Sequence, residues 1–528
     1  MARRLWFALM IFAACSLAYA YASSAATQIL HVDDFAADSE RERINLALAH
    51  AAQLNGSKEL RFSPREYIVD LPQEDNPFAA VLGVMEVSNL TIDGQGAVLV
   101  MSNALAKTRG YVFKINRFKN LAVKNLSLTF RPAPFIQGTI TAVDQPANRV
   151  SLSLDDNFNH LDALRSDAYA EFWCRVGLKT NPLHPKPATP SWMSVGVYED
   201  GGIARELEAD GSVTLRAGYI EPAKTINAAM NWEVGDPMVV WLRSGLDGFY
   251  FEEGERLELD NLSVETVPHY AIKVRGVEQV SLNACEVAPM PGAMLSSSAD
   301  GIDIQQSRNI RIQDCRLVAT GDDAISLLNH GHGANGEQHE NKFPPPYPET
   351  NERVLIRNNH IEGGNRNGIL LLANDAEVIG NKILHTRQYG LKFTGDRTLI
   401  EANAFREVGT FAAYRHIADE LNTGIIGSDE WVQRDAIIKN NHLEDWHNMP
   451  GILLKSVQGA VVTGNRFVMN DPDAIATQPV NAYLTYLPAI CVTHGEGGRS
   501  DSSDLFIENN TFSPSTWHPD HPPIYRSP

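Results

Sequence analysis

One phrase recurs along the chain at a spacing that few folds accommodate. It reads Val280-Ser281-Leu282-Asn283-Ala284-Cys285-Glu286-Val287, then Ile310-Arg311-Ile312-Gln313-Asp314-Cys315-Arg316-Leu317. It returns around Asn359, Asn381, Asn403, Asn441, Asn465 and Asn510. An apolar residue follows two places after each: Ile361, Ile383, Phe405, Leu443, Phe467 and Phe512. The steps from Asn359 to Asn381 and from Asn381 to Asn403 are 22 residues, and that from Asn441 to Asn465 is 24. Paired-helix repeats need about 34 residues, and the leucine signature of a horseshoe is missing. Short β-type runs such as Val354-Leu355-Ile356 and Gly368-Ile369-Leu370-Leu371-Leu372 alternate with Asn and Gly turns. One such coil cannot bury its own apolar face, so coils stack. The expected fold is all-β: a right-handed parallel β-helix in which the recurring Asn bonds its neighbours at a tight bend.

The rhythm divides the chain. Residues 27–135 read as an N-terminal cap with the first coils. Glu42 to Leu54 has helical apolar spacing, and Asn89-Leu90-Thr91-Ile92-Asp93-Gly94 opens an early coil. Residues 136–245 break the rhythm with alternating strands of their own, such as Thr139-Ile140-Thr141-Ala142-Val143 and Pro237-Met238-Val239-Val240-Trp241-Leu242. They read as a small β-barrel or sandwich inserted between two coils. Residues 246–515 form the main helix, and 516–528 a C-terminal tail. Cys285 and Cys315 fill the position that Asn takes in later coils. Stacked in register, their Cβ vectors run parallel, which strains a disulfide, so two buried thiols are expected.

The formal net charge of −19 excludes phosphate-backbone binding as a main activity, because that needs a positive surface. It leaves a sugar substrate open. Residues 1–26 read as a signal peptide: Arg3 and Arg4, an apolar run from Leu5 to Ala14, then small-x-small sites at Ala18-Tyr19-Ala20 and Ala20-Tyr21-Ala22. The expected location is periplasmic or secreted, with lipidation at Cys15 as a variant. No other stretch is long and apolar enough to span a membrane. The sequence carries no signal for oligomeric state.

Chemistry concentrates in Ser298-Ala299-Asp300-Gly301-Ile302-Asp303 and, one coil on, Gly321-Asp322-Asp323-Ala324-Ile325-Ser326. Stacked coils lie about 4.8 Å apart, so Asp300 should meet Asp322 or Asp323. Carboxylates this close cannot all ionise cheaply, which yields a general acid beside a general base. That is the equipment of glycoside hydrolysis, and inversion calls for about 6.5–9.5 Å between the two carboxyls. Adjacent residues on a strand face opposite ways. For both Asp322 and Asp323 to reach one cleft, the strand must end or bend there. Asp303, His330, His332, Arg366 and Lys392 are the expected substrate-binding residues. His330 and His332 could instead tune charge or, with Asp322 or His339, hold a metal. No metal or cofactor is required, although Asp-rich turns can also take Ca²⁺.

The paired motifs resemble the polygalacturonase signature, in which Asn-Thr-Asp is followed one coil later by Gly-Asp-Asp; Ser298 stands here for its Asn. The resemblance implies that Asp300, Asp322 and Asp323 activate water and protonate the leaving oxygen, with inversion. The layout is also similar to the bacterial α-1,3-galactosidases that cleave blood-group-B-type ends. Those are β-helices with an inserted barrel, an Asp one coil before an Asp-Asp pair, and His soon after. That likeness implies a galactoside substrate. Two other classes compete. A lyase or uronate epimerase would need a base plus positive charge or Ca²⁺. A carbohydrate-binding β-helix would not need the stacked acids.

Overall fold

The computed structural model describes residues 27–71, 80–102, 110–159, 172–186, 192–195, 205–207, 212–220, 231–242, 245–328, 351–409, 426–428, 433–446, 450–470, 488–493, 502–513 and 522–526. His330 and His332 lie outside them, as do residues 1–26.

The 22-residue rhythm becomes three stacked ladders of parallel strands. In the first, Ile272, Ile302, Ile325, Ile369 and Leu391 follow one another in register. In the second, Val280, Ile310, Val354 and Ala376 do so. In the third, Leu317, Ile361, Ile383, Phe405, Leu443, Phe467 and Phe512 do so. Strand alternation sends these residues inward and their neighbours outward. The inward set makes one apolar cluster running from Val32 to Val492. Each buried aliphatic side chain contributes about 1.5–3 kcal/mol relative to exposure.

Between the second and third ladders the chain turns through one left-handed residue per coil. Ala284, Asp314, Asn358, Ala402, Asn440 and Asn509 all have φ between 50° and 57°. The next residue is the recurring one. Its side-chain amide bonds the carbonyl oxygen of the next in line: Asn359 to Asn381 and Asn381 to Asn403 at 2.9 Å, then Asn403 to Asn441, Asn441 to Asn465 and Asn465 to Asn510 at 3.0 Å. Cys315 joins this ladder through its backbone N–H, which donates to Asn359 Oδ1 at 2.9 Å. Cys285 and Cys315 stack beside each other as free, buried thiols, and the hydrogen bond between them, then burial, push the Cys315 thiol well up. Alkylation of the native protein should therefore miss Cys174, Cys285, Cys315 and Cys491. All four should label in denaturant, as peptide mapping by mass spectrometry would show.

The helix Glu40–Gln53 closes the N-terminal end. Ser39 caps it by accepting from Glu42 N–H, and Ile44, Ala47, Leu48 and Ala51 are buried. No helix among the described residues is long and apolar enough to cross a membrane.

The insertion is a small barrel. Its strands are Phe135–Asp144, Arg149–Leu154, Phe172–Val176, Trp192–Val195, Arg205–Leu207, Val213–Ile220 and Pro237–Leu242. They pair antiparallel, and Val213–Ile220 bonds both Arg149–Leu154 and Trp192–Val195, which closes the ring. The coils on either side ignore it: Gly110–Arg131 stacks directly on Leu246–Asp260. The barrel folds back onto the helix, burying Phe135, Phe158, Trp173, Val239 and Trp241 against Ala293, Met294 and Leu295.

A polar contact completes this seam. His184 of the barrel lies 2.7 Å from Glu362, His360 lies 3.0 Å from its other oxygen, and the His184 and His385 rings stack at 3.5 Å. Hydrogen bonding to His184 is the first cause holding Glu362 at about 2, below its ordinary 4.5. A depressed carboxylate stabilises the fold above its unfolded pKa, and that contribution is lost as pH falls through the folded one. Glu362→Gln should therefore be less stable than wild type at neutral pH. The two should converge between pH 4.5 and about 2, as measured by denaturant melts across that range.

Candidate active site

The acids sit where two coils enter the first ladder. Asp300 precedes the strand Ile302–Gln305, and Asp322 and Asp323 precede Ile325–Leu327. Register is set by backbone bonds: Gly301 N–H donates to Asp323 O at 3.0 Å, Asp322 N–H to Ala299 O at 3.2 Å, and Ala324 N–H to Asn367 O at 3.0 Å. Asp322 and Asp323 lie in the turn before their strand, so alternation does not separate them. Gly321 makes the turn fit. Its N–H donates to Ser297 O at 2.8 Å, and a Cβ there would lie 2.5 Å from the same oxygen. One carboxylate oxygen from each of Asp300, Asp322 and Asp323 falls within 4.8 Å of the others, and all three residues are buried.

Fixed donors hold the cluster. Asp323 N–H donates to Asp300 Oδ1 at 3.1 Å. Asp323 Oδ1 accepts from Asn367 N–H at 3.1 Å and from the Asn367 side chain at 2.8 Å. Arg366 lies 3.3 Å from Asp322 Oδ1 with its side chain 42% exposed. Attraction to Asp322 first, then Asp323 and Asp300, raises its pKa and keeps it charged.

The other expected residues take different places. Asp303 is fully buried, accepts from Gln305 at 2.8 Å and lies 3.5 Å from Lys273. It faces outward in one row with Lys273, Ser326, Leu370 and Lys392. Lys392 thus stands three coils from Asp303, about 14 Å along the row, with its ammonium over the Tyr389 ring.

The coil before the acids adds residues that carry no motif. The stacking places Tyr270 beside Asp300 and His269 beside Ala299, and His269 Nδ1 is 2.6 Å from Asp247. Lys273 lies over the Tyr270 ring at 3.9 Å. Farther up the same face, Tyr111 and Tyr250 stack at 4.4 Å with Lys114 above them. A groove of about 480 Å³ between Glu86, Arg117, Glu253 and Arg308 lies at another corner of the coils and holds none of the acids.

Buried acids beside fixed donors, an arginine and tyrosines can move protons at an oxygen and stack on a sugar ring. Comparison with known proteins agrees. Residues 347–516 match the right-handed β-helix region, and residues 247–337 match Glycosyl hydrolases family 28. No curated protein sequence matches. Among solved structures, the Agl-KA catalytic domain is 12% identical with a TM-score of 0.50, the alignment covering 96% of this chain and 68% of that one. The family 28 exopolygalacturonase of Yersinia enterocolitica is 12% identical, covering 92% and 79%, with a TM-score of 0.41. The mannuronan C-5 epimerase AlgE6 A-module of Azotobacter vinelandii is 11% identical, covering 94% and 99%, with a TM-score of 0.35. At these identities the likeness to solved structures is one of fold. The chain is a right-handed parallel β-helix, and its acid cluster lies inside the segment that matches Glycosyl hydrolases family 28.

Proposed function

We propose that this protein is an exported glycoside hydrolase that cleaves a galactoside or a related saccharide with inversion. The convergence of Asp300, Asp322 and Asp323 on adjacent coils carries the reading. One carboxyl protonates the leaving oxygen while another takes a proton from the attacking water. Arg366 and Asn367 hold the pair Asp322 and Asp323 in place. Oxygens within 4.8 Å are closer than the roughly 6.5–9.5 Å that inversion calls for, and by separation alone favour retention. We weigh the family 28 match of this segment above that distance, because nearest oxygens understate the gap between carboxyl centres. The anomer of the first-formed product, read by NMR, decides the point.

The test of class is product chemistry on α-galactosides, galacturonans and sulfated galactans. New reducing ends without ultraviolet absorbance support hydrolysis. One observation favours a lyase or epimerase as second reading: Arg366 places positive charge beside the acids, where an enolate would need it. Absorbance of an unsaturated uronate would then appear. No product from any substrate would leave a carbohydrate binder. Export is tested by the N-terminus of the mature protein, expected just after Ala20 or Ala22.

A further inference from the structure

We propose that the inserted barrel sets the acid cluster from behind, with Trp241 and Arg175 as positioning residues. The inference rests on the hydrolase reading of that cluster.

One face of the barrel presents Phe135 and Gln137, Val239 and Trp241, Trp173 and Arg175 in neighbouring rows. It grips the turns that carry the acids at two separate points. At the first, buried Trp241 donates its indole N–H to Ser298 O at 3.0 Å, two residues before Asp300. Gln137 clamps the same turn: its amide donates to Gly292 O at 2.8 Å, and it accepts from Met294 N–H at 2.7 Å. At the second, Arg175 donates to Gly363 O at 2.9 Å. Gly363 has φ +70°, and a Cβ there would meet Leu183 O of the barrel at 2.3 Å, so the contact is close.

From Gly363 the connection to the acids is short. Asn365 bonds Thr320 O at 2.9 Å through its N–H and Gly321 O at 3.2 Å through its side chain. Arg366 reaches Asp322, and Asn367 reaches Asp323. The barrel thus holds one turn that delivers Asp300 and one that delivers the donors to Asp322 and Asp323.

Stability alone does not account for Arg175. It is 1% exposed, and among the described residues its Nε and Nη2 have no hydrogen-bond partner. Burial depresses its guanidinium to about 9. A buried cation serving one carbonyl gains the fold little over an apolar side chain of the same length. What it supplies is a directed bond to the Gly363 turn.

The test compares full-length wild type, Arg175→Met and Arg175→Lys by hydrogen–deuterium exchange and by kinetics on the glycoside that wild type cleaves. In Arg175→Met, amides of residues 363–368 should exchange about tenfold faster while residues 351–361 are unchanged. Its kcat should fall about tenfold with KM within about twofold, and its melting temperature should stay within about 3 °C. Arg175→Lys, which keeps one donor, should recover most of both losses. Unchanged exchange at 363–368, or faster exchange with full kcat, overturns the positioning role. Where Arg175→Met does not fold, Trp241→Phe carries the same test at residues 297–302. If wild type cleaves no glycoside, faster exchange in the variant counts for the clamp and against the hydrolase reading.

Discussion

Asn in place of Asp300, Asp322 or Asp323 should each lower kcat by roughly 10²–10⁴, with folding intact. Asn matches the carboxylate in shape and removes the proton chemistry. The cluster lies in turns before strands, outside the apolar cluster that holds the coils together, so the coils should stack without it. The three positions should not respond identically in binding. Asp322→Asn loses the charge that faces Arg366 and leaves a guanidinium in the cleft without its nearest counter-charge, so affinity for anionic sugars should rise as turnover falls. In Asp323→Asn the amide oxygen can take the place of Oδ1, which alone accepts both bonds from Asn367, so Asn367 should stay in place. Double substitutions should cost little more than the worst single one, because residues that act as a unit are not additive. Kinetics on an authentic substrate, with circular dichroism and melting curves as the folding control, read all of this. Full activity in both Asp300→Asn and Asp322→Asn would falsify the mechanism whatever the fold.

The closeness of the three aspartates is readable from the sequence because Asp300 and Asp323 stand two places before Ile302 and Ile325, which pair directly. The later coils are readable because three of the five steps along the Asn ladder are 22 or 24 residues, and the other two, of 38 and 45, keep the same Asn in register. Tyr270, His269 and Lys273 are not, because the coil that carries them is longer. Lys273 pairs with Asp303 across 30 residues. A 22-residue step would have put Ser281 there, which the structure pairs with Arg311 in the next ladder. The extra length lies in the turn between Ala288 and Ile302, the turn that packs on the barrel. Arg366 meets Asp322 across 44 residues, because residues 329–350 lie between two coils. The clamp residues Trp241 and Arg175 are invisible for a further reason. They sit on a separate barrel, and nothing in a strand pattern states which face of one domain meets which turn of another.

Asn381→Leu should be among the most destabilising single changes in the chain, at about 4 kcal/mol, although Asn381 touches no acid. The side chain is 1% exposed and fully engaged. Its oxygen accepts from Asn359 N–H and from the Asn359 side chain, both at 2.9 Å. Its amide donates to Ile356 O at 3.0 Å and to Asn403 Oδ1 at 2.9 Å. Leucine fills a similar volume, so no large cavity is left and packing is nearly conserved. The loss is in polar groups. The backbone N–H of Asn359 and the carbonyl of Ile356 are left in a dry interior without partners, at about 1–3 kcal/mol each. The cost should also be local. Each coil contacts only its neighbours, so stability is close to a sum over coils and interfaces. Limited proteolysis should therefore open the variant between about residues 359 and 403 before the N-terminal coils yield. Asn374→Ala is the control: its side chain accepts one bond, from Asp396 N–H at 2.9 Å, at a partly exposed position of the strand Ile369–Ile379, and should cost about 1 kcal/mol. Equal losses for the two variants in denaturant melts would show that the Asn ladder contributes no more than an ordinary surface hydrogen bond. The coils would then owe their stacking to the three aliphatic ladders alone.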